Sequence, residues 1–571
     1  MERTPSSIFR SPSRSPSRSR SRSRSPALQE QDPVAASSSD VNFVDVPAPV
    51  IDLDDPEFVV IPPEEPRPHE QAEMDAEVID GADMDLGPTN WDEMTLWDLK
   101  LFDKLDDRMQ KTFMQNFIRG IILLTFYSGQ GTVETLNAMW FSLLQSKIPC
   151  DNACGFICYS ACDSSRLCRQ VLAAHSARTK AKHCFGSIEG MLPAKVQSHM
   201  VNSVRVGRQR AENAKAFMEI NGDTQLYETS LTNIESSLLG ELADELEKVE
   251  LKKTTKQFCY SCNKMCNIWP SDDEIKGRLV VVVGGDVCVA HSQQGNRDGW
   301  IHESAVSALT FMKYIATMQP HVFIQECVKQ MQANLHLRER LGHMYDVQHC
   351  DLNPIWFGEP IRRERRYSAG DHYEHVQQDI RFEKDTFMPL VKASMQVQGD
   401  VFFMVPPQHL NDQDVAMHTR KMKLRLLRRN SSDMPDCTLP VATRAESFQR
   451  LIDAGTYIDS DVYFANVSQN ASHHPKLCGV IPTLLQQSNV YMFKTNKTES
   501  RLARAVEHLA MQQMPLMLSA GHIHENDFPY QLLLDSGNLT SCDVKSLAGN
   551  AMNLASIGRV LMFKLATVSP R

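Results

Sequence analysis

Apolar residues recur at helical spacing over residues 91–120, and this pattern predicts amphipathic helix in that part of the chain. Before residue 91 the sequence shows no comparable pattern, so we expect ordered structure to begin near Trp91. The recurring apolar positions are Leu96, Leu99, Leu101, Phe102, Leu105, Met109, Phe113 and Phe117.

Four short apolar runs follow, and each is typical of a buried strand. They are residues 121–127 (IILLTFY), 155–160 (GFICYS), 278–285 (RLVVVVGG) and 321–327 (HVFIQEC). A helical pattern, AVSALTFMKYIATMQ, separates the last two runs. Strands that alternate with helices indicate a parallel, doubly wound α/β sheet, in which ligands bind at the carboxyl ends of the strands.

The first 90 residues are poor in apolar positions and change the sign of their charge along the chain. Residues 11–26 read SPSRSPSRSRSRSRSP, whereas residues 30–98 contain Arg67 as their only basic residue apart from histidine. Such segments cannot bury enough surface to offset the entropy of ordering, so we predict a disordered tail over residues 1–90. The Arg/Ser repeat is similar to those of nuclear RNA-processing proteins, which favours a nuclear location, with nuclear proteins and kinases as partners of the tail. A generic low-complexity tail is the alternative.

Composition narrows the class of protein. The 571 residues carry a formal net charge of −10, so any surface that binds nucleic acid would have to be local. Fifteen cysteines at irregular spacing do not indicate a disulfide framework, and the N-terminus lacks the apolar stretch of a secretory signal. Residues 121–127 are too few to cross a bilayer. We expect a soluble intracellular protein with reduced thiols and no membrane partner.

Four segments carry residues suited to catalysis or ligand binding. Residues 127–131 (YSGQG) form a glycine turn after the first strand, which either admits a ligand or is purely structural. Cys288 follows the valine run, where a lowered pKa would make it a nucleophile, although buried structural cysteines are commoner. Glu326 ends the next strand and suits acid/base work or a helix cap. Arg363 and Arg365 lie on one face of an extended segment and suit recognition of a phosphate or carbonyl, or form a solvated edge.

In order and context, these segments resemble the motifs of the DNA (cytosine-5) methyltransferase family. FYSGQG resembles the family's FxGxG, GDVCVAHSQQG its nucleophile loop PCQxFSxxG, and QECV its ENV motif. LNPIWFGEPIRRERRY resembles LNAxxYGVPQxRxRxY, and SLAGNAMNLASIGRVLMFKL resembles the closing GNSV-type motif and its helix. The likeness covers about residues 125–370 and 540–571.

The resemblance implies a Rossmann-like S-adenosylmethionine-dependent methyltransferase sheet with an inserted target-recognition lobe. The implied reaction is methylation of cytosine C5 in DNA, through a covalent bond between Cys288 and C6 of an extruded base. Glu326, Arg363 and Arg365 are the other implied catalytic residues. The implied residues of the S-adenosylmethionine site are Tyr127, Ser128, Gly129, Gly131, Asp163, Ser187, Gly549 and Asn550.

The chain departs from the family pattern at several positions. Val287 replaces the proline before the nucleophile, Cys327 the asparagine of ENV, and Ile361 a glutamine. The acidic residue expected after the second strand falls at Cys162 or beside it at Asp163. These departures favour, as an alternative, a catalytically silent binding protein with the same fold. The Arg/Ser tail keeps RNA or tRNA as an alternative substrate.

The resemblance divides the chain into a catalytic core (91–370), a target-recognition region (371–530) and a C-terminal segment (531–571) that completes the core. An insertion over residues 191–277 contains a predicted helix at 236–253. It also contains the CxxCxxxC spacing of Cys259, Cys262 and Cys266, which can supply three thiolates to zinc, with Cys184 or a histidine as fourth ligand. Free thiols are the alternative. The basic stretch 418–430 is a candidate for phosphate contacts or a solvated helix face.

Overall fold

A computed structural model describes most of the chain from residue 85 onwards. The described residues are 85–147, 155–285, 290–291, 299–404, 439–455, 460–471, 477–486, 488–495, 500–515 and 537–571. The candidate nucleophile Cys288, the basic stretch 418–430 and the N-terminal tail therefore lie outside the described residues.

The strands of the described part begin at Asp85 and end at Pro570. In chain order they are β1 (Asp85–Leu86), β2 (Ile121–Phe126), β3 (Phe156–Cys162), β4 (His183–Phe185), β5 (Lys256–Cys259), β6 (Lys264–Asn267), β7 (Leu279–Gly285), β8 (Val322–Cys327), β9 (Tyr345–Leu352), β10 (Arg365–His372), β11 (Val376–Gln378), β12 (Ala393–Ser394), β13 (Val462–Asn466), β14 (Val490–Lys494), β15 (Arg501–Leu502) and β16 (Val568–Pro570). The four strands predicted from apolar runs are confirmed as β2, β3, β7 and β8.

The α-helices of the described part begin at Trp91 and end at Thr567. In chain order they are α1 (Trp91–Thr95), α2 (Trp97–Lys104), α3 (Asp107–Arg119), α4 (Thr132–Lys147), α5 (Arg166–Ala174), α6 (Ala194–Asn221), α7 (Thr224–Glu247), α8 (Asp272–Ile275), α9 (Ser304–Met318), α10 (Ala333–Leu341), α11 (Lys384–Val391), α12 (Leu439–Asp453), α13 (Ala505–Met511), α14 (Ser541–Asn550) and α15 (Leu554–Thr567). The pattern over 91–120 forms α1 to α3, and Asp106 caps α3 by accepting a hydrogen bond from the Met109 amide at 2.8 Å.

The largest sheet has nine strands in the order β6-β5-β4-β3-β2-β7-β8-β10-β9. Strands β4, β3, β2, β7 and β8 are parallel, whereas β10 is antiparallel to both β8 and β9. The seven strands from β4 to β9 confirm the Rossmann-like methyltransferase sheet that the resemblance implies. The parallel, doubly wound part predicted from the alternation of strands and helices is β4-β3-β2-β7-β8, while β10 follows β9 directly in the chain and pairs with it in antiparallel orientation.

Both faces of the sheet are covered, which explains its continuous apolar strands. Every residue of β2 is buried, and alternate side chains enter opposite layers. Ile121 and Leu123 pack with α3, α4 and α15, while Ile122 and Leu124 pack with α9. All residues of α15 are buried, so the C-terminal helix belongs to the core of the sheet domain.

The insertion after β4 consists of the helices α6 and α7, joined at Gly222, followed by the β5–β6 hairpin. Residues 236–247 of the helix predicted over 236–253 form the second half of α7, which ends at Glu247. It starts earlier because the Asp223 side chain accepts from the Leu226 amide at 2.9 Å and so caps a longer helix. Among the described helices, none combines the length and the apolar character needed to cross a membrane.

A smaller lobe lies in the region expected to recognise the target. Its sheet, β13-β14-β15, packs with α12 around an apolar cluster that includes Phe448, Tyr491 and Phe493. The lobe joins the segment before β10 through the Ile481 amide, which donates to the Pro360 carbonyl at 2.9 Å. Its role in recognition stays a prediction.

Candidate functional site

The glycine turn after β2 has an unusual backbone. Tyr127, Gly129 and Gly131 all have positive φ angles, of 53°, 57° and 87°. A Cβ added at Gly131 would lie 2.5 Å from His175 Cε1, so this glycine is needed for packing against α5. A Cβ at Gly129 would meet no atom closer than 4.0 Å, which leaves the backbone there open to a ligand.

The carboxyl end of β3 contacts this turn through Asp163. The Gly129 amide donates to Asp163 Oδ2 and the Ser165 amide to Oδ1, both at 2.8 Å. Burial raises the pKa of the Asp163 carboxyl. Cys162, the other candidate for this position, points into the protein, where its thiol donates to the Gly186 carbonyl at 2.7 Å. Asp163 is thus the acidic residue beside the turn.

Ser128 holds the turn to the sheet. Its hydroxyl accepts from the Cys162 amide at 3.0 Å and lies 2.7 Å from the Thr125 hydroxyl. Thr125 also donates to the buried carboxyl of Glu134, which lies in the first turn of α4. Burial raises the pKa of Glu134 to about 7. Sequence reasoning missed Glu134, because a lone acid in a helix is the usual solvated residue.

Ser187 follows β4 and caps a short helix. Its hydroxyl accepts from the Glu189 amide at 3.3 Å, and its carbonyl accepts from the Gln257 side chain at 2.7 Å. Beside it, the ring of Tyr260 lies next to Gly186. Tyr260 was also missed, since the pairing that brings it to β4 spans the whole helical insertion.

Glu326 and Arg365 form an ion pair at the ends of β8 and β10. Arg365 Nε lies 3.0 Å from Glu326 Oε1, with side chains 13% and 7% exposed. Glu326 is the register partner of Gly285, the last residue of β7, and a Cβ on Gly285 would lie 3.6 Å from Glu326 Oε2. In the sequence, Gly285 precedes Cys288 by three residues.

Arg363 precedes β10 and is buried. Its guanidinium donates to the Ala551 carbonyl, and its amide donates to Asn353 Oδ1 at 3.3 Å. Glu326, Arg363 and Arg365 all act electrostatically on buried Tyr367, whose pKa is raised chiefly by burial. The three charged candidates are therefore neighbours around this tyrosine.

Gly549 and Asn550 end α14 next to the smaller lobe. A Cβ on Gly549 would lie 2.2 Å from the Leu485 carbonyl carbon, and Asn550 Oδ1 accepts from Gln486 Nε2 at 2.8 Å. Met552, two residues further on, reaches the end of β7, because a Cβ on Gly285 would lie 2.5 Å from its methyl carbon. The C-terminal motif thus contacts both the lobe and the end of β7.

Four side chains form a candidate metal site: His183, Cys259, Cys262 and Cys266, whose ligand atoms lie within 4.8 Å of one another. His183 Nδ1 is 3.7 Å from Cys259 Sγ and 3.5 Å from Cys262 Sγ. Tetrahedral zinc bonded to sulfur at ~2.3 Å and to nitrogen at ~2.0 Å would separate its ligand atoms by about 3.5–3.8 Å. The spacing therefore fits zinc. Of the expected fourth ligands, the histidine is the one present, while Cys184 packs in the opposite apolar layer.

No protein-family model matches the chain, and no curated protein matches it. Similar solved structures include the Dnmt2 methyltransferase of S. pombe, at 12% identity and a TM-score of 0.35, which covers 78% of this chain and 98% of that one. The Entamoeba histolytica methyltransferase EhMeth is similar at 10% identity and a TM-score of 0.36, covering 78% and 97%. A DNA modification methyltransferase of an E. coli prophage is similar at 12% and 0.33, covering 75% and 97%. On the strand order of its own sheet, the chain has a Rossmann-like methyltransferase fold.

Proposed function

We propose that this chain is a divergent member of the DNA (cytosine-5) methyltransferase family and transfers a methyl group from S-adenosylmethionine to cytosine C5 in DNA. The observation that carries the proposal is the buried Glu326–Arg365 pair beside Gly285. At this point the chain leaves β7 and enters the segment that contains Cys288. An acid, a guanidinium and a thiol at adjoining strand ends are the groups that addition to a pyrimidine ring requires.

The residues at the glycine turn fit the cofactor. When bound, S-adenosylmethionine supplies an electrophilic methyl group on its sulfonium. Open space at Gly129 admits the methionine part against the backbone of residues 127–131. Asp163 is next to this turn and suits the ribose, and Ser187 follows the adjacent strand on the adenine side. Both lie at the carboxyl ends of parallel strands, where doubly wound sheets bind their ligands.

Side chains of this protein perform the chemical steps on the cytosine ring. The target cytosine leaves its stack, and the Cys288 thiolate adds to C6, with the electron pair of the C5–C6 double bond moving into the ring. Glu326 delivers a proton to N3 as the thiolate adds, so the adduct is a neutral enamine whose C5 can take the electrophilic methyl group, with the demethylated cofactor as the leaving group. A base then removes the C5 proton, elimination of the thiolate restores the C5–C6 double bond, and N3 returns its proton to Glu326. Arg365 orients Glu326 and holds the base carbonyl.

Covalent trapping on an oligonucleotide that contains 5-fluorocytosine tests the nucleophile. The fluorine replaces the proton that must be removed, so the wild-type protein should remain attached to the DNA. Cys288→Ser should give no adduct, because a hydroxyl at this position lacks the reactivity of a thiolate. Cys478→Ser, at a partly exposed cysteine of the smaller lobe, is the matched control and should trap normally. An adduct formed by Cys288→Ser would contradict the assignment.

The substrate is tested separately. Tritiated cofactor is incubated with the protein and DNA, bulk RNA or tRNA in parallel. We expect label in DNA, while label in tRNA or RNA alone would assign the chain to the alternative favoured by its Arg/Ser tail. Cofactor binding without transfer to any of the three would indicate the silent binding protein that Val287, Cys327 and Ile361 favour. We also propose a nuclear location, which imaging of the tagged full chain with and without residues 11–26 would test.

We further propose that zinc is the metal of His183, Cys259, Cys262 and Cys266. Protein purified without chelator should contain about one zinc ion per chain, as measured by inductively coupled plasma mass spectrometry. Cys262→Ser should lose it, because a hydroxyl is a poor zinc ligand, whereas Cys478→Ser should retain it. Equal zinc in the two variants would contradict the site.

A further inference from the structure

Tyr260 is an exposed aromatic residue at the edge of the cofactor region. It lies in the turn between β5 and β6 and is 52% exposed. Its amide donates to the Cys184 carbonyl at 2.8 Å, which sets it beside β4. A Cβ added to Gly186 would lie 3.4 Å from the ring, so the ring flanks the chain where it leaves β4.

Arg169 connects this ring to the end of β3. Its guanidinium carbon lies 4.3 Å from the centroid of the Tyr260 ring. The same guanidinium donates to the carbonyls of Asp163 and Ser164, at 2.8 and 2.6 Å. Because the Asp163 carboxylate in turn accepts from Gly129, a continuous set of contacts joins the open glycine turn to the aromatic ring.

A guanidinium that lies over an aromatic ring forms a pair of planar groups suited to the face of a nucleobase. Both groups stack on the π system of a purine. The ends of β3 and β4 are also the part of the sheet where the nucleoside of a cofactor would extend from the turn.

We propose that the Tyr260 ring stacks on the purine of the cofactor, and that the metal site holds this ring in place. This inference rests on the proposed use of S-adenosylmethionine. Tyr260 directly follows Cys259 and precedes Cys262 by two residues, so a metal ion bound to both thiolates fixes the backbone on each side of the ring. His183 ties the same metal to β4, so the hairpin cannot move relative to the strand ends while the metal is bound.

The experiment measures binding of S-adenosylhomocysteine by calorimetry, with the zinc content of each variant determined in parallel. Tyr260→Ala should raise the Kd roughly 10- to 100-fold, the effect of removing one base-stacking aromatic, and should keep its zinc. Tyr260→Phe should bind as the wild-type protein does, because it keeps the ring. Tyr373→Ala removes a tyrosine of similar exposure, 48%, that follows β10 at the other end of the sheet, and should leave the Kd unchanged.

The outcomes separate this inference from the proposed function. Absence of binding by the wild-type protein would overturn both. Normal binding by the wild-type protein and equally tight binding by zinc-loaded Tyr260→Ala would overturn the inference alone. Tyr260→Ala could instead lose nucleic-acid binding and keep the wild-type Kd for S-adenosylhomocysteine. That result would overturn the inference, because the ring would then stack on a base of the nucleic-acid substrate.

The role of the metal is tested with Cys262→Ser, after circular dichroism has established that the variant is folded. Loss of zinc should weaken S-adenosylhomocysteine binding about as much as Tyr260→Ala does. The double variant, Tyr260→Ala with Cys262→Ser, should bind S-adenosylhomocysteine no more weakly than either single variant, because both changes remove the same stacking surface. A zinc-free, folded Cys262→Ser with wild-type affinity would overturn the metal part of the inference.

Discussion

Glu134 is a buried carboxyl beneath the glycine turn, and its titration falls near neutral pH. Only 1% of the residue is exposed, and Thr125 donates a hydrogen bond to it. Desolvation raises its pKa from 4.5 to about 7. Between these two pH values the folded protein binds more protons at this site than the unfolded chain does, so this site makes stability fall as pH rises through the window.

Glu134→Gln should remove that dependence. The amide keeps the shape and an acceptor for Thr125 but carries no charge, so the variant should gain stability relative to the wild type as pH increases from 4.5 to 7. The relative gain should approach about 3 kcal/mol at the upper end, at ~1.4 kcal/mol per unit of pKa shift. Urea unfolding at several pH values measures it, with exposed Glu228→Gln as control. Parallel pH profiles for wild type and Glu134→Gln would contradict the assignment.

At the scale of elements, the junction between β2 and α4 depends on close packing with α5. The His175 ring lies against Gly131, and its Nε2 is 2.9 Å from the Gln130 carbonyl. The positive φ of Gly131, 87°, adds a second constraint at the same residue. Gly131 therefore serves the packing of three elements, whereas Gly129 leaves space at the surface of the turn.

Gly131→Ala should destabilise the protein by about 2 kcal/mol or more, because it combines a strained backbone with a clash against His175. Gly240→Ala is the matched control in α7. A methyl group there meets no atom within 4 Å, so the change should stabilise the helix by about 0.5–1 kcal/mol. Thermal and urea unfolding compare the two. Equal effects of the two substitutions would show that the packing at Gly131 is not tight.

At the scale of the whole molecule, the C-terminal helix is tied to the sheet by buried polar groups. Lys564 of α15 forms a fully buried ion pair with Asp371 of β10. Asn116 of α3 donates to the carbonyls of Leu565 and Val568, both at 2.8 Å. These contacts join segments separated by almost 200 residues or more in the chain.

Lys564→Met should cost about 3–5 kcal/mol, because it leaves the Asp371 carboxylate buried without its partner. Adding Asp371→Asn should recover part of this loss by removing the unpaired charge. Lys100→Met breaks an exposed pair with Glu93 and should cost far less, because solvent and salt screen such a pair. Denaturant unfolding of the four proteins measures these differences. A small effect of Lys564→Met would mean that Asp371 finds another partner or is neutral when folded.

Much of the sheet could be predicted from local patterns. Strands β2, β3, β7 and β8 are continuous apolar runs because both of their faces are covered, and that requirement is visible in the sequence. The short strand β4 and the β5–β6 hairpin left no such pattern, since they are few residues long and lie toward one edge.

The amino-acid sequence by itself determined the positions of β2, β3, β7 and β8 and the types of residue at their ends, because periodicity and chemical type are local properties of the chain. Only the tertiary structure decided that His183 joins the three cysteines near the end of the insertion, that Asp163 rather than Cys162 contacts the turn, and that Glu326 pairs with Arg365. Each of these depends on which distant segments pack together. Pairing of that kind is set by the burial of the whole core, so it leaves no trace in the spacing of nearby residues.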